Sequence, residues 1–132
     1  MFDSHSEITK SKQGRVTAAK MLMRLFELWK LTPNEELLLL DLNESDRESL
    51  NHYRAGKRAI ENNIDTLNRV SMLFNIHAML RVIFPENPMH VYGWMSAQNK
   101  ALNNQTPLDI VQKHHFIGLH MLVNHLYRLC DS

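Results

Sequence analysis

Cysteine, glycine and proline are scarce in this chain of 132 residues, with one, four and four of each. The lone Cys130 excludes an internal disulfide framework and any cysteine-based zinc site, and it fits a reducing cytoplasm. So few glycines and prolines, beside eight methionines and many leucines, point to an all-helical protein. Long apolar runs are absent as well. The longest, Leu37 to Leu40, falls far short of the roughly 20 residues that a membrane span needs. The first residues, Met1-Phe2-Asp3-Ser4-His5-Ser6-Glu7, are polar and acidic, unlike a secretory signal. Neither sign of charge dominates: fifteen Lys and Arg face fourteen Asp and Glu, for a formal charge of +1. Bulk charge therefore cannot carry nucleic-acid binding. What is present is 44% hydrophobic residues, enough for one domain or two very small ones sharing a core. A chain of this length should bury roughly two-thirds of its unfolded surface without a metal or disulfide staple.

Residues 1–15 hold Lys10, Lys12 and Arg15 and little to bury, which reads as a flexible basic arm. Over residues 16–31, Ala19, Leu22, Met23, Phe26 and Trp29 recur at helical spacing beside a second stripe of Ala18, Met21, Leu25 and Leu28. That predicts a helix packed on two faces. Thr32-Pro33 closes it and caps a short helix over residues 34–41. Ser45, with Glu48 three residues on, predicts a capped third helix to about Arg54, ended by Gly56. Helix, short turn, helix is the helix-turn-helix layout.

The longest helical signal runs from Ile60 to Phe84, as one helix or two end to end, and Pro85 and Pro88 stop it. Residues 89–96 make two further turns, and Asn103-Asn104 suits a left-handed bend. Thr106-Pro107-Leu108-Asp109 reads as a helix start, and residues 117–129 as a final helix.

Chemistry is thinly signalled. His115, His120 and His125 on one helix would sit about 140° apart in turn and could not converge on one ion. His114 and His125 would share a face but lie roughly 16 Å apart. No metal site, cofactor site or nucleophile motif is expected, and Cys130 has no neighbour to activate it. An enzyme is not the expected reading.

The helix-turn-helix offers Ser45, Arg47, Ser49, Asn51, His52 and Arg54 to a DNA groove, with Lys57 and Arg58 beside it for phosphates. Against this stand Glu27, Glu35, Glu36, Asp41, Glu44, Asp46 and Glu48, faced only by Lys30 and Arg47. An acidic recognition helix forfeits the counterion release that drives DNA affinity. A scaffold that no longer binds DNA is the alternative.

Two longer runs resemble a known family. Arg24-Leu25-Phe26-Glu27-Leu28-Trp29-Lys30-Leu31-Thr32 and Leu67-Asn68-Arg69-Val70-Ser71-Met72-Leu73-Phe74-Asn75-Ile76-His77-Ala78-Met79-Leu80-Arg81, followed by Phe84-Pro85, are similar to the N-terminal half of Xre/MbcA/ParS antitoxins. Trp94-Met95, Asn99, Ala101-Leu102 and Asn103-Asn104-Gln105-Thr106-Pro107-Leu108-Asp109 resemble that family's toxin-binding domain, with asparagine where its loop glycine stands. The resemblance spans about residues 18–129.

The resemblance implies a bacterial antitoxin encoded beside a RES-type toxin that degrades NAD, binding it tightly and blocking its active site. It also implies a homodimer that can repress its own operon. NAD would be the partner's substrate, not a cofactor here. Carried onto this sequence, it makes Trp94, Asn99, Tyr127, Arg128, Asp131 and Ser132 the candidates for toxin contact, with the end of the chain as the plug. Trp94 also reads as core, and Asn99 and Thr106 as loop and cap residues. The expected protein is thus all-α and cytoplasmic. A helix-turn-helix half, residues 16–84, would pack on a small helical toxin-binding half, residues 85–132. A stand-alone helix-turn-helix regulator and an interaction scaffold are the alternatives.

Overall fold

A computed structural model describes residues 11–131. Among them the fold is all-α, with six helices: α1 (Lys12–Leu28), α2 (Pro33–Leu40), α3 (Arg47–Arg54), α4 (Ile64–Ile83), α5 (Pro88–Gly93) and α6 (Pro107–Cys130). Two compact units divide between Ser71 and Met72, inside α4.

In the N-terminal unit, the Ser11 hydroxyl accepts the Gly14 N–H and starts α1. The helix therefore begins earlier than the apolar periodicity suggests, and Lys12 and Arg15 belong to it instead of to an arm. Lys10 and the rest of that arm lie outside the described residues. Leu22, Met23, Phe26 and Trp29 are all but fully buried, and α1 packs on α3, whose Leu50 and Tyr53 are buried as well. Arg15 holds the chain beyond α3: its Nε–H donates to the Ile60 carbonyl at 3.0 Å, and the Ile60 N–H donates back to the Arg15 carbonyl at 3.2 Å.

The three helices of this unit end in the same way. After α1, α2 and α3 the residues Lys30, Asp41 and Gly56 turn left-handed, at φ 57°, 56° and 71°. The next N–H then reaches back five residues, Leu31 to Phe26, Leu42 to Leu37 and Lys57 to His52, at 2.9–3.1 Å. Each is a Schellman ending, which satisfies the last carbonyls of its helix. Thr32 caps α2 in a capping box with Glu35. The expected box of Ser45 with Glu48 does not form. Asp46 instead accepts the Asn43 N–H at 3.0 Å, a short 3-10 turn covers Glu44–Asp46, and α3 starts only at Arg47. An acid three residues after Asn43 satisfies the free N–H first.

α4 is a single helix, Ile64–Ile83, whose residues from Met72 onward belong to the C-terminal unit. The Asn87 side chain caps α5, which passes into a 3-10 turn at Trp94–Ser96. The loop beyond folds around Asn99. Its side chain accepts the Ala101 N–H at 2.9 Å, its carbonyl accepts the Asn104 N–H at 2.9 Å, and its own N–H donates to the Gln105 carbonyl at 3.1 Å. Asn103 and Asn104 take φ of 59° and 65°, the left-handed bend that two asparagines tolerate. Thr106 and Asp109 form the capping box expected at the start of α6. That helix is broken at His115, where φ 53° and ψ −125° depart from helical geometry. Beyond the break, Gly118 lies against the backbone of Ile110 and Val111, and Leu119, Leu122 and Leu126 are fully buried.

Candidate functional site

The residues expected to face DNA have diverse surroundings. Ser45 is exposed in the 3-10 turn, and Asn51 and His52 are exposed on one face of α3 together with Glu48. Arg47 is committed to its own side of the turn. Its Nε–H and an Nη2–H donate to Glu44 at 2.6 and 2.9 Å, and Nη2 also donates to Asn34 at 2.7 Å. The bond from Arg47 holds the Glu44 carboxyl below its ordinary range, and Glu44 in turn raises Arg47. Ser49 is buried and accepts from Arg58, so its hydroxyl anchors that arginine within the unit and faces no groove.

Arg54 pairs with Glu36, whose side chain is 2% exposed, and lies 3.8 Å from Glu27. Pulling Arg54 onto a phosphate would leave a buried carboxylate uncompensated, at a cost of about 3–5 kcal/mol. Glu36 already has one oxygen, Oε1, without a hydrogen-bond partner among the described residues. Lys57 is exposed, just past the left-handed Gly56. The α3 surface is thus a mixed one: Glu48 beside Asn51 and His52, with Arg47 and Arg54 bonded to acids.

In the C-terminal unit two of the expected toxin contacts come together. Trp94 and Asn99 line a groove of about 570 Å³, with Phe84, Met89, His90, Gly93 and residues 97–100 completing its walls. Trp94 is 8% exposed, so it is both core and groove wall. Its ring stacks on His125 with centroids 6.4 Å apart. His90 stacks on Phe84 at 5.2 Å. Met89 stands at the rim, 86% exposed. Asn99 acts mainly as the clasp of the loop described above.

Tyr127, Arg128 and Asp131 do not line that groove. They sit exposed at the end of α6, Tyr127 at 64%, while Ser132 lies outside the described residues. Tyr127 and Arg128 extend an exposed face that also carries Ile117 and Met121, opposite the buried Leu119, Leu122 and Leu126. Sequence reasoning passed over Met89, Gly93, Lys100, Ile117 and Met121. The spacing of Ile117, Met121 and Arg128, four and seven residues apart, was the available signal for the second group. Among the described residues, no group of three or more His, Cys, Asp or Glu could hold a metal ion. No helix is long and apolar enough to cross a membrane.

Residues 79–130, which contain this groove and the whole of α6, match the family model of the antitoxin Xre/MbcA/ParS C-terminal toxin-binding domain. The match is to that domain alone and covers 52 of the chain's 132 residues. The toxin-binding domain thus coincides with most of the C-terminal unit, and it includes Trp94, Asn99, Tyr127 and Arg128. Searches of curated proteins and of solved structures gave no match.

Proposed function

We propose that this protein is the antitoxin of a toxin–antitoxin pair and neutralises a RES-type, NAD-degrading toxin by covering its active site. The match of residues 79–130 to a toxin-binding domain carries this reading. The partner, on this view, is the toxin, and this chain contributes binding surface without catalysis or a cofactor of its own, in the cytoplasm and as a homodimer. Tyr127, Arg128, Asp131 and Ser132 form the plug. An exposed aromatic ring, a guanidinium and the Asp131 carboxylate at a helix end suit a pocket built for a phosphate-bearing dinucleotide. Deleting residues 127–132 is expected to abolish rescue of cells from the toxin while the truncated protein still folds and co-purifies with it. Undiminished rescue would refute the plug.

A second role is operator binding through α2 and α3, with Ser45, Asn51, His52 and Lys57 the residues best placed for it. The acidic surroundings of α3 favour instead a scaffold role for this unit. A mobility shift on the gene's own promoter at 50 and at ~200 mM salt separates the two, since phosphate contacts lose affinity steeply over that interval.

A further inference from the structure

We propose that the groove beside Trp94 is a docking pocket for the toxin, and that it receives an apolar side chain with a carboxylate next to it. The proposal rests on the toxin-binding reading of this domain and adds a contact separate from the plug. The volume, about 570 Å³, lies within the range of pockets that enclose a ligand of some size, about 300–1,000 Å³. The walls are preformed. Phe84 is held by its stack with His90, and Trp94 by burial and its stack with His125. Rigid aromatic walls are what a partner's anchoring side chain needs, because little freedom is lost on binding. At Gly93 an added Cβ would meet nothing within 4 Å, so the groove is open where a side chain would enter. Met89, 86% exposed, is a flexible apolar rim with no packing role in the fold.

The charge is one-sided. No Asp or Glu lines the groove, and Lys100, exposed at its edge, supplies a cation. The occupant that complements this lining is apolar with an adjacent acid. It is assigned to the toxin because the groove lies wholly within residues 79–130.

The test uses the full-length protein and the toxin encoded beside it, with dissociation constants measured by calorimetry. Gly93→Leu places an apolar side chain in the groove from a position where an added Cβ meets nothing within 4 Å, and Lys100→Glu reverses the edge charge at an exposed position, so both should keep the wild-type melting temperature. Each is expected to weaken toxin binding at least tenfold, and Lys100→Arg to leave it within about twofold of wild type. If Gly93→Leu and Lys100→Glu both bind within twofold of wild type, the pocket proposal is wrong even though the toxin-binding reading stands. If the wild-type protein binds no toxin, that reading fails and the pocket assignment with it. Should Gly93→Leu instead convert a wild-type dimer to monomers in light scattering, the occupant is a second copy and the assignment to the toxin is overturned.

Discussion

At Gly118 a Cβ would sit 2.6 Å from the Ile110 carbonyl oxygen and 3.0 Å from the Val111 Cα. Both are backbone atoms that cannot swing aside. The two segments of α6 can lie this close only because position 118 has no side chain. Gly93 is the contrasting case, with nothing within 4 Å of an added Cβ. Gly118→Ala is therefore expected to destabilise the protein by about 1–2 kcal/mol net, overpacking outweighing the helix propensity that alanine adds. Gly93→Ala is expected to be neutral, or stabilising by less than about 1 kcal/mol. Urea unfolding of the two variants beside wild type measures both. Equal stabilities for the two would contradict the close approach at Gly118.

Helix ends divide into those that local chemistry announces and those that it conceals. Thr32-Pro33 and Thr106-Pro107 start α2 and α6 where the sequence places them, and Gly56 ends α3. In each case a cap, a proline or a glycine does by itself what the geometry requires. Lys30, Asp41 and His115 carry no such mark, yet all three have positive φ. Tertiary packing of the flanking helices holds them in conformations that cost a residue with a side chain about 1–3 kcal/mol. The break at His115 was foreseen only as a gap between two helical signals, because a strained histidine looks like any other in sequence.

The groove was half visible for the same reason. Trp94 and Asn99 stand out by type and spacing, whereas Met89, Gly93 and Lys100 acquire meaning only from the fold that gathers them. Replacing the left-handed Lys30 with glycine is expected to stabilise the protein by about 0.5–1 kcal/mol: the relief of the left-handed strain exceeds the added unfolded-state entropy. Lys30→Ala should give no gain. A thermal melt of the pair checks this, and a gain from alanine as large as that from glycine would exclude the Schellman strain as its source.

Across the whole molecule the charge is close to balanced, but the groups whose protonation matters near neutrality are unevenly placed. His77 and His125 both belong to the C-terminal unit, and both are held below the ordinary imidazole value of 6.5. Burial is the main cause for each, with the charges of Arg81 and Arg128 adding to it. His77 bonds Tyr92 through Nε2 at 3.3 Å, and His125 stacks on Trp94. The folded unit therefore binds fewer protons than the unfolded chain once the pH falls below about 6.5, the ordinary histidine value. This part of its stability is complete above that value and is lost as the pH drops through the lowered folded values.

The two tryptophans permit the unit to be observed separately, since Trp29 belongs to the N-terminal unit and Trp94 to the other. In a Trp29→Phe background, the unfolding midpoint followed by Trp94 emission should fall between pH 7 and pH 5. Adding His77→Gln and His125→Gln should flatten that dependence, because glutamine cannot take up the proton that favours the unfolded chain. If the double histidine variant keeps the full acid sensitivity, its source is not these two rings.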